Sequence, residues 1–153
     1  MSHPEEKLAE LGLKLPEVAK PVAAYVPVVR TGNLVYTSGQ LPLRDGALIA
    51  TGKNGDSIAA AVAVECAQQC ALNALAAIKS EIGDLANISR IVKVVAFVAS
   101  TPDFTGQPQV ANGASELLGQ VFGEAGQHAR SAVGVPVLPL DAPVEVELIV
   151  EVA

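Results

Sequence analysis

The chain ends on a strict alternation. Val144, Val146, Leu148, Val150 and Val152 fall on one side of an extended segment, and Glu145, Glu147, Ile149 and Glu151 fall on the other. Successive side chains of a strand point to opposite faces, so one face here is wholly apolar and needs a cover. The other carries three carboxylates. Residues 138–143 read Leu-Pro-Leu-Asp-Ala-Pro; their two prolines cannot donate to a central ladder and mark a turn. The segment before that turn, from His128, reads as the preceding strand and brings one guanidinium, Arg130.

Helical periodicity dominates two stretches. Residues 56–82 are Ala-rich, with Ile58, Val62, Cys66, Leu72, Leu75, Ala76 and Ile82 as the apolar stripe. Asp56 or Ser57 is the expected cap and Gly83 the stop. Residues 107–122 put Val110, Ala114, Leu117, Leu118 and Val121 on one side and close at Gly123 and Gly126. A short helix is predicted over 4–11, with Pro4 in its first turn and Glu5 and Glu6 at its positive end. Pro16 and Pro21 then hold an extended lead-in. Residues 22–30 read as a first strand, with Pro27 at an edge or bulge, and residues 34–38 as a second that Gly39 breaks or bulges. Residues 47–50 return as a short third. Residues 89–99 are β-branched and almost wholly apolar, the pattern of a central strand covered on both faces. The order β-β-(β)-α-β-α-β-β predicts an α+β fold, a mixed sheet covered on one face by two long helices. Its other, partly apolar face invites further subunits. The 153 residues are expected to form one domain, with residues 1–21 as a leader.

Composition narrows the function. Half the residues are hydrophobic, only 3% are aromatic, and there is no Trp; an apolar balance of this kind suits buried subunit contacts. The net charge is −6 and no run of Lys or Arg occurs, which argues against a nucleic-acid partner, because phosphate backbones need clustered cations. Cys66 and Cys70 stand four apart in a helical stretch. Their Cβ atoms would lie ~5–6 Å apart, whereas a disulfide wants ~3.5–4.5 Å. They are expected to be reduced core thiols, and no metal site is expected at them. The polar, acidic start lacks a secretory apolar region, and no later run reads as long and uninterrupted enough to span a bilayer; a cytoplasmic location and no membrane partner are expected. Gly52-Lys53-Asn54-Gly55 lacks a Ser or Thr after the Lys and is a turn, not a phosphate loop. No Ser/His/Asp arrangement is visible around His128, which reads as a surface or interface residue.

An arginine near a carboxylate-bearing strand suits a small anionic ligand, because its fork grips a carboxylate bidentately. The same pattern also fits a solvated strand face with a structural Arg130–Glu145 ion pair.

Several motifs occur together, in order and at compatible spacing. They are Tyr25, Gly32-Asn-Leu-Val-Tyr-Thr-Ser-Gly-Gln-Leu-Pro42, Asn73, Val92-Lys-Val-Val-Ala-Phe97, Asp103-Phe104, Asn112, Ala129-Arg-Ser131 and Val144-Glu-Val-Glu147. From Tyr25 to the C-terminus the chain resembles the Rid/YjgF reactive-intermediate deaminases. The leader, residues 111–118 and residues 122–131 resemble a branch that carries an endoribonuclease label without a firm substrate. The resemblance implies a chorismate-mutase-like fold and a homotrimer with clefts between subunits. It implies hydrolysis, with no cofactor, of 2-enamine or 2-imino acids such as 2-aminoacrylate to 2-keto acids and ammonia. It assigns the substrate carboxylate to Arg130 and the water to Glu145, and it lines the cleft with Tyr25, Ser38, Gly39 and Asn112. Three departures stand out: Gly113 follows Asn112, Ala132 replaces a frequent Cys, and residues 43–56 are longer than usual. Two alternatives remain open, an endoribonuclease or translation inhibitor with Arg130 on phosphate, and a non-catalytic trimer that binds a small carboxylate. A chorismate-mutase-type reaction rests on fold analogy alone.

Overall fold

The apolar run that reads as a central strand lies inside the sheet, with a partner strand on each side. The computed structural model describes residues 3–18 and 24–153. In chain order these form helix α1 (Pro4–Glu10), strands β1 (Val28–Thr31), β2 (Leu34–Thr37), β3 (Leu43–Arg44) and β4 (Ala47–Leu48), helix α2 (Ala60–Ile82), strand β5 (Ile88–Ala99), helix α3 (Gln107–Phe122), and strands β6 (Ala129–Val135) and β7 (Val144–Val152). Five strands make one sheet in the order β1-β2-β7-β5-β6. All its pairs are antiparallel except β5–β6, which α3 joins as a crossover, the connection that parallel strands require. The hairpin of β3 and β4 stands apart.

The alternation of β7 sets the layers. Val144, Val146, Leu148, Val150 and Val152 are buried, together with Val35, Ile91, Val94, Ala96 and Val98 of the neighbouring strands. They pack against the small residues of α2, Ala67, Cys70, Ala71 and Ala74 among them, and against Val110, Ala114, Leu117 and Leu118 of α3. Close approach of the two helices depends on Gly113. A Cβ there would sit 3.0 Å from the backbone carbonyl carbon of Val64 on α2, and closer still to its oxygen. The unusual glycine after Asn112 therefore has a packing cause. Cys66 and Cys70 are buried free thiols, as expected. Burial pushes Cys66 up to about 11 and Cys70 well up from its ordinary value, so both stay protonated and inert.

The structure departs from the sequence reading in several places. Strand β5 lies between β6 and β7, so the Arg130 strand and the glutamate strand are not partners. β5 is covered by helices on one face only: Val92, Lys93, Val95 and Phe97 remain half-buried on the other. β1 starts at Val28, so Tyr25 precedes the strand; residues 22 and 23 of the expected strand, and Pro21 of the lead-in, lie outside the described residues. Helix α2 starts at Ala60, with Ala59 as its N-cap and no side-chain cap bond. Asp56 and Ser57 are held in a turn instead, where the Asp56 and Ile58 amides both donate to the Lys53 carbonyl. Asn54 anchors that turn; it is buried, and its Nδ2 donates to the carbonyls of Ala99 and Pro143 at 3.1 Å each. The segment is thus a turn, as expected. Helix α2, at 23 residues, is long and apolar enough to cross a membrane by length and composition, contrary to the sequence reading. Most of it is buried beneath the sheet as the core helix.

Candidate active site

A bulge shapes the first cluster. The β2–β7 ladder runs to Tyr36↔Ile149 and resumes as a bridge at Gln40↔Val146, so β2 carries one residue more than β7 across this stretch. Thr37 is buried, and its Oγ1 accepts the Leu148 amide at 3.0 Å. Ser38 and Gly39 then bow out of the ladder. The Ser38 amide donates to the Pro27 carbonyl at 2.8 Å, and its hydroxyl donates to the Val26 carbonyl at 2.5 Å. Ser38 is therefore committed to pinning the segment that carries Tyr25, whose side chain is 49% exposed. Gly39 lies directly under the carboxylate of Glu145: a Cβ on Gly39 would fall 2.8 Å from the Glu145 carboxyl carbon, with Oε2 nearer. Glu145 is half-buried. Burial first, and then the charge of Glu147, raise its carboxyl above the ordinary value; a carboxylate so placed suits general-base work.

Helix α3 builds the second cluster. Asn112 and Ser115 lie three residues apart, on one helix face. Arg130 donates from Nη1 to Asn112 Oδ1 at 2.7 Å and to Ser115 Oγ at 3.2 Å. Ser115 Oγ is also 2.8 Å from His128 Nε2, and His128 Nδ1 lies 2.6 Å from the Gly126 carbonyl oxygen. The sequence reading of His128, a surface or interface residue with no Ser/His/Asp arrangement, did not anticipate this contact: the turn over Gly123–Gly126 folds it back onto α3, with a backbone carbonyl and no Asp as the third group. Among the described residues no carboxylate lies within ion-pair distance of Arg130. Among the described residues its charge rests on two neutral acceptors, both bound by Nη1, and the Nε–Nη2 edge of the fork has no partner.

The two clusters occupy opposite faces of the sheet. Arg130 pairs with Val94, whose own partner on β7 is the buried Leu148, so Arg130 shares the helix-covered face. Glu145 pairs with Phe97, on the other face. The structure thus joins Ser38, Gly39 and Glu145, and separately joins Asn112 and Arg130, but one chain does not unite them. The structural Arg130–Glu145 ion pair within a chain is excluded.

His3, Glu5 and Asp84 form a further group whose ligand atoms lie within 4.8 Å of one another. Their donors are already spent: the Glu5 amide donates to His3 Nδ1, His3 Nε2 bonds Asp84 at 2.6 Å, and Glu5 pairs with Lys79. The group clasps α1 to the end of α2.

The family model described as "YjgF/chorismate_mutase-like, putative endoribonuclease" matches residues 5–152. Protein TCP17 of Trypanosoma cruzi is 46% identical over 145 residues, 94% of this chain and 91% of that one. A Dermatophagoides farinae protein named 2-iminobutanoate/2-iminopropanoate deaminase is 32% identical over 140 residues, 90% of this chain and 93% of its own. A crystal structure described as "a putative endoribonuclease from Shewanella oneidensis" aligns with a TM-score of 0.96 at 34% identity, over 99% of this chain and 100% of that one. The match of almost the whole chain, on a mixed sheet backed by two helices, makes it a member of the YjgF family with the chorismate-mutase-like α+β fold.

Proposed function

We propose that the protein hydrolyses reactive 2-imino and 2-enamine acids, such as 2-aminoacrylate, to 2-keto acids and ammonia. The observation that carries this reading is Arg130: a half-buried guanidinium with neutral partners and an open fork, made to receive an anion. The likeness to a protein named as an iminobutanoate deaminase supports it. The substrate carboxylate binds the Arg130 fork by two parallel hydrogen bonds. Glu145 holds the attacking water and takes its proton as the oxygen adds to the imine carbon. That carbon is already electrophilic, so orientation does most of the work and no cofactor is needed.

The active unit in this reading is a homotrimer, in which Arg130 of one chain faces Glu145 of a neighbour. Arg130 lies on the edge strand β6, where a second sheet can reach it. The uncovered sheet face carries exposed Val29, Tyr36 and Val133, an apolar surface that a neighbouring chain would cover. The charge of −6 weighs against the alternative of RNA as substrate.

The test uses 2-imino acids generated in place by an amino-acid oxidase or dehydratase, with semicarbazide trapping what escapes hydrolysis. The protein is expected to cut the trapped fraction and to speed keto-acid release. If no imino acid in a panel of aliphatic and aromatic side chains is hydrolysed faster than in buffer, the reading is wrong.

A further inference from the structure

Ser115 lies mid-way along α3, where a serine hydroxyl commonly turns back to a carbonyl of its own helix. Here it reaches His128 Nε2 instead, at 2.8 Å. A carbonyl oxygen only accepts, so the Gly126 carbonyl at 2.6 Å fixes the ring proton on Nδ1. In the Nδ1–H tautomer Nε2 presents its lone pair, and the Ser115 hydroxyl donates to it. This is a hydroxyl with a base in reach and a third group orienting that base, the arrangement of an activated serine. The turn behind it is built for the purpose: a Cβ on Gly126 would collide with the Leu118 backbone carbonyl of α3, 2.8 Å from its carbon. Only glycine lets the chain pass close enough to lay His128 over Ser115. The same Oγ lies 3.2 Å from Arg130 Nη1, so the hydroxyl borders the place where an anion on Arg130 would sit.

We propose that Ser115 and His128 form a proton relay that takes the hydroxyl proton from the tetrahedral adduct held on Arg130. The proposal rests on the imine-hydrolysis reading and supplies its second half. In the first half, water adds to the iminium carbon, its proton goes to Glu145, and the C=N electron pair moves to nitrogen. The resulting hydroxyl stands on the carbon next to the carboxylate, beside Ser115. In the second half, Glu145 returns its proton to the amine and the C–N bond breaks, with its pair leaving as ammonia. The hydroxyl proton passes to Ser115 Oγ as the serine's own proton passes to His128 Nε2, and the C=O bond forms. The imidazolium then gives its proton to ammonia. The sum is iminium plus water to ketone plus ammonium. Ser115 is the catalytic residue of the pair, and His128 acts through it.

Ser115→Ala and His128→Gln should each lower kcat for 2-iminobutanoate by about 10²-fold, with KM within about threefold, because the Arg130–Asn112 contact survives. The double variant should be no worse than either single one, since the two act as a unit. Unchanged kcat in either variant, or a rise in KM alone, would reduce the pair to a prop for Arg130. A second measurement does not need turnover. In ¹⁵N-labelled wild-type protein, His128, told apart from His3, the chain's other histidine, should show the Nδ1–H tautomer. Its Nε2 signal should move on titration with 2-oxobutanoate, and Ser115→Ala should abolish the movement. An Nε2 signal that stays fixed at saturating keto acid overturns the relay. A signal that moves in a protein that hydrolyses no imino acid would sink the deaminase reading and the relay with it, and would leave His128 coupled only to an anion bound on Arg130.

Discussion

Gly39→Ala separates the chemistry of the site from the stability of the fold. Gly39 is not in the positive-φ region, so alanine fits its backbone without strain. The obstacle is Glu145: the new Cβ would lie 2.8 Å from the carboxyl carbon, where ordinary contact begins near 3.4 Å, and Oε2 is nearer still. The carboxylate must therefore swing away by about 1 Å, a displacement that can cost a reaction roughly 10²-fold. The fold should barely notice. The atom that moves is the end of a flexible, half-buried side chain, which puts the cost at the low end of overpacking, about 1 kcal/mol. For a domain of this size that is a fall in Tm of roughly 2–4 °C. Calorimetry and kcat on 2-iminobutanoate, measured on one preparation, read both. A variant with full activity would show that the carboxylate need not rest on Gly39. A Tm loss of several times that size would show that the bulge is a structural element first.

Three further outcomes follow from particular contacts. Gly113→Ala places its Cβ against the Val64 backbone, which cannot swing aside; overpacking of about 3 kcal/mol, offset by about 1 kcal/mol of helix propensity, leaves a net loss of about 2 kcal/mol, readable in urea midpoints. Asn54→Ala removes the side-chain donor to the Ala99 and Pro143 carbonyls, a loss of about 1–3 kcal/mol, or roughly 2–12 °C in Tm. Glu145 is harder to ionise in the folded chain than in the unfolded one, through burial and then Glu147. The native state therefore binds the extra proton, and this group's contribution to stability is present at low pH and lost as pH rises above the ordinary 4.5. Glu145→Gln should be more stable than the wild type at pH 7, with the gain shrinking by pH 4. The acid limb of kcat/KM should lie above 4.5 and move down in Glu147→Gln.

The sequence was legible where one periodicity decides one environment. The alternation of 144–152 identified the buried face of β7, and the stripes over 56–82 and 107–122 identified the two covering helices. Motif likeness singled out Arg130, Glu145 and Gly39, of which the structure brings Gly39 and Glu145 together. Strand order was not legible: nothing local tells that α3 carries the chain across to place β5 between the Arg130 and Glu145 strands. Their separation onto opposite faces follows from the β5–β6 and β5–β7 registers, which are just as non-local. The late start of α2 follows the turn that Asn54 anchors, and that anchor depends on carbonyls 45 and 89 residues away. The pairing of Ser115 with His128 depends on the four-residue turn Gly123–Gly126. Asn112 and Ser115, by contrast, share a helix face at a spacing of three, a signal that could have linked them before any coordinates were known.

The central claim is that Arg130 and Glu145 act together only across two chains. It is tested by co-expressing Arg130→Ala with Glu145→Gln. Arg130→Ala alone removes two charge-assisted hydrogen bonds of about 1.5–3 kcal/mol each, a loss of roughly 10²–10⁴-fold in kcat/KM. With random assembly, about a quarter of the clefts in the mixed oligomer pair an intact Arg130 with an intact Glu145 from its neighbour. The account predicts recovery to about that fraction of wild-type turnover from two nearly inactive chains. Mixed oligomers that stay as inactive as either parent would contradict it.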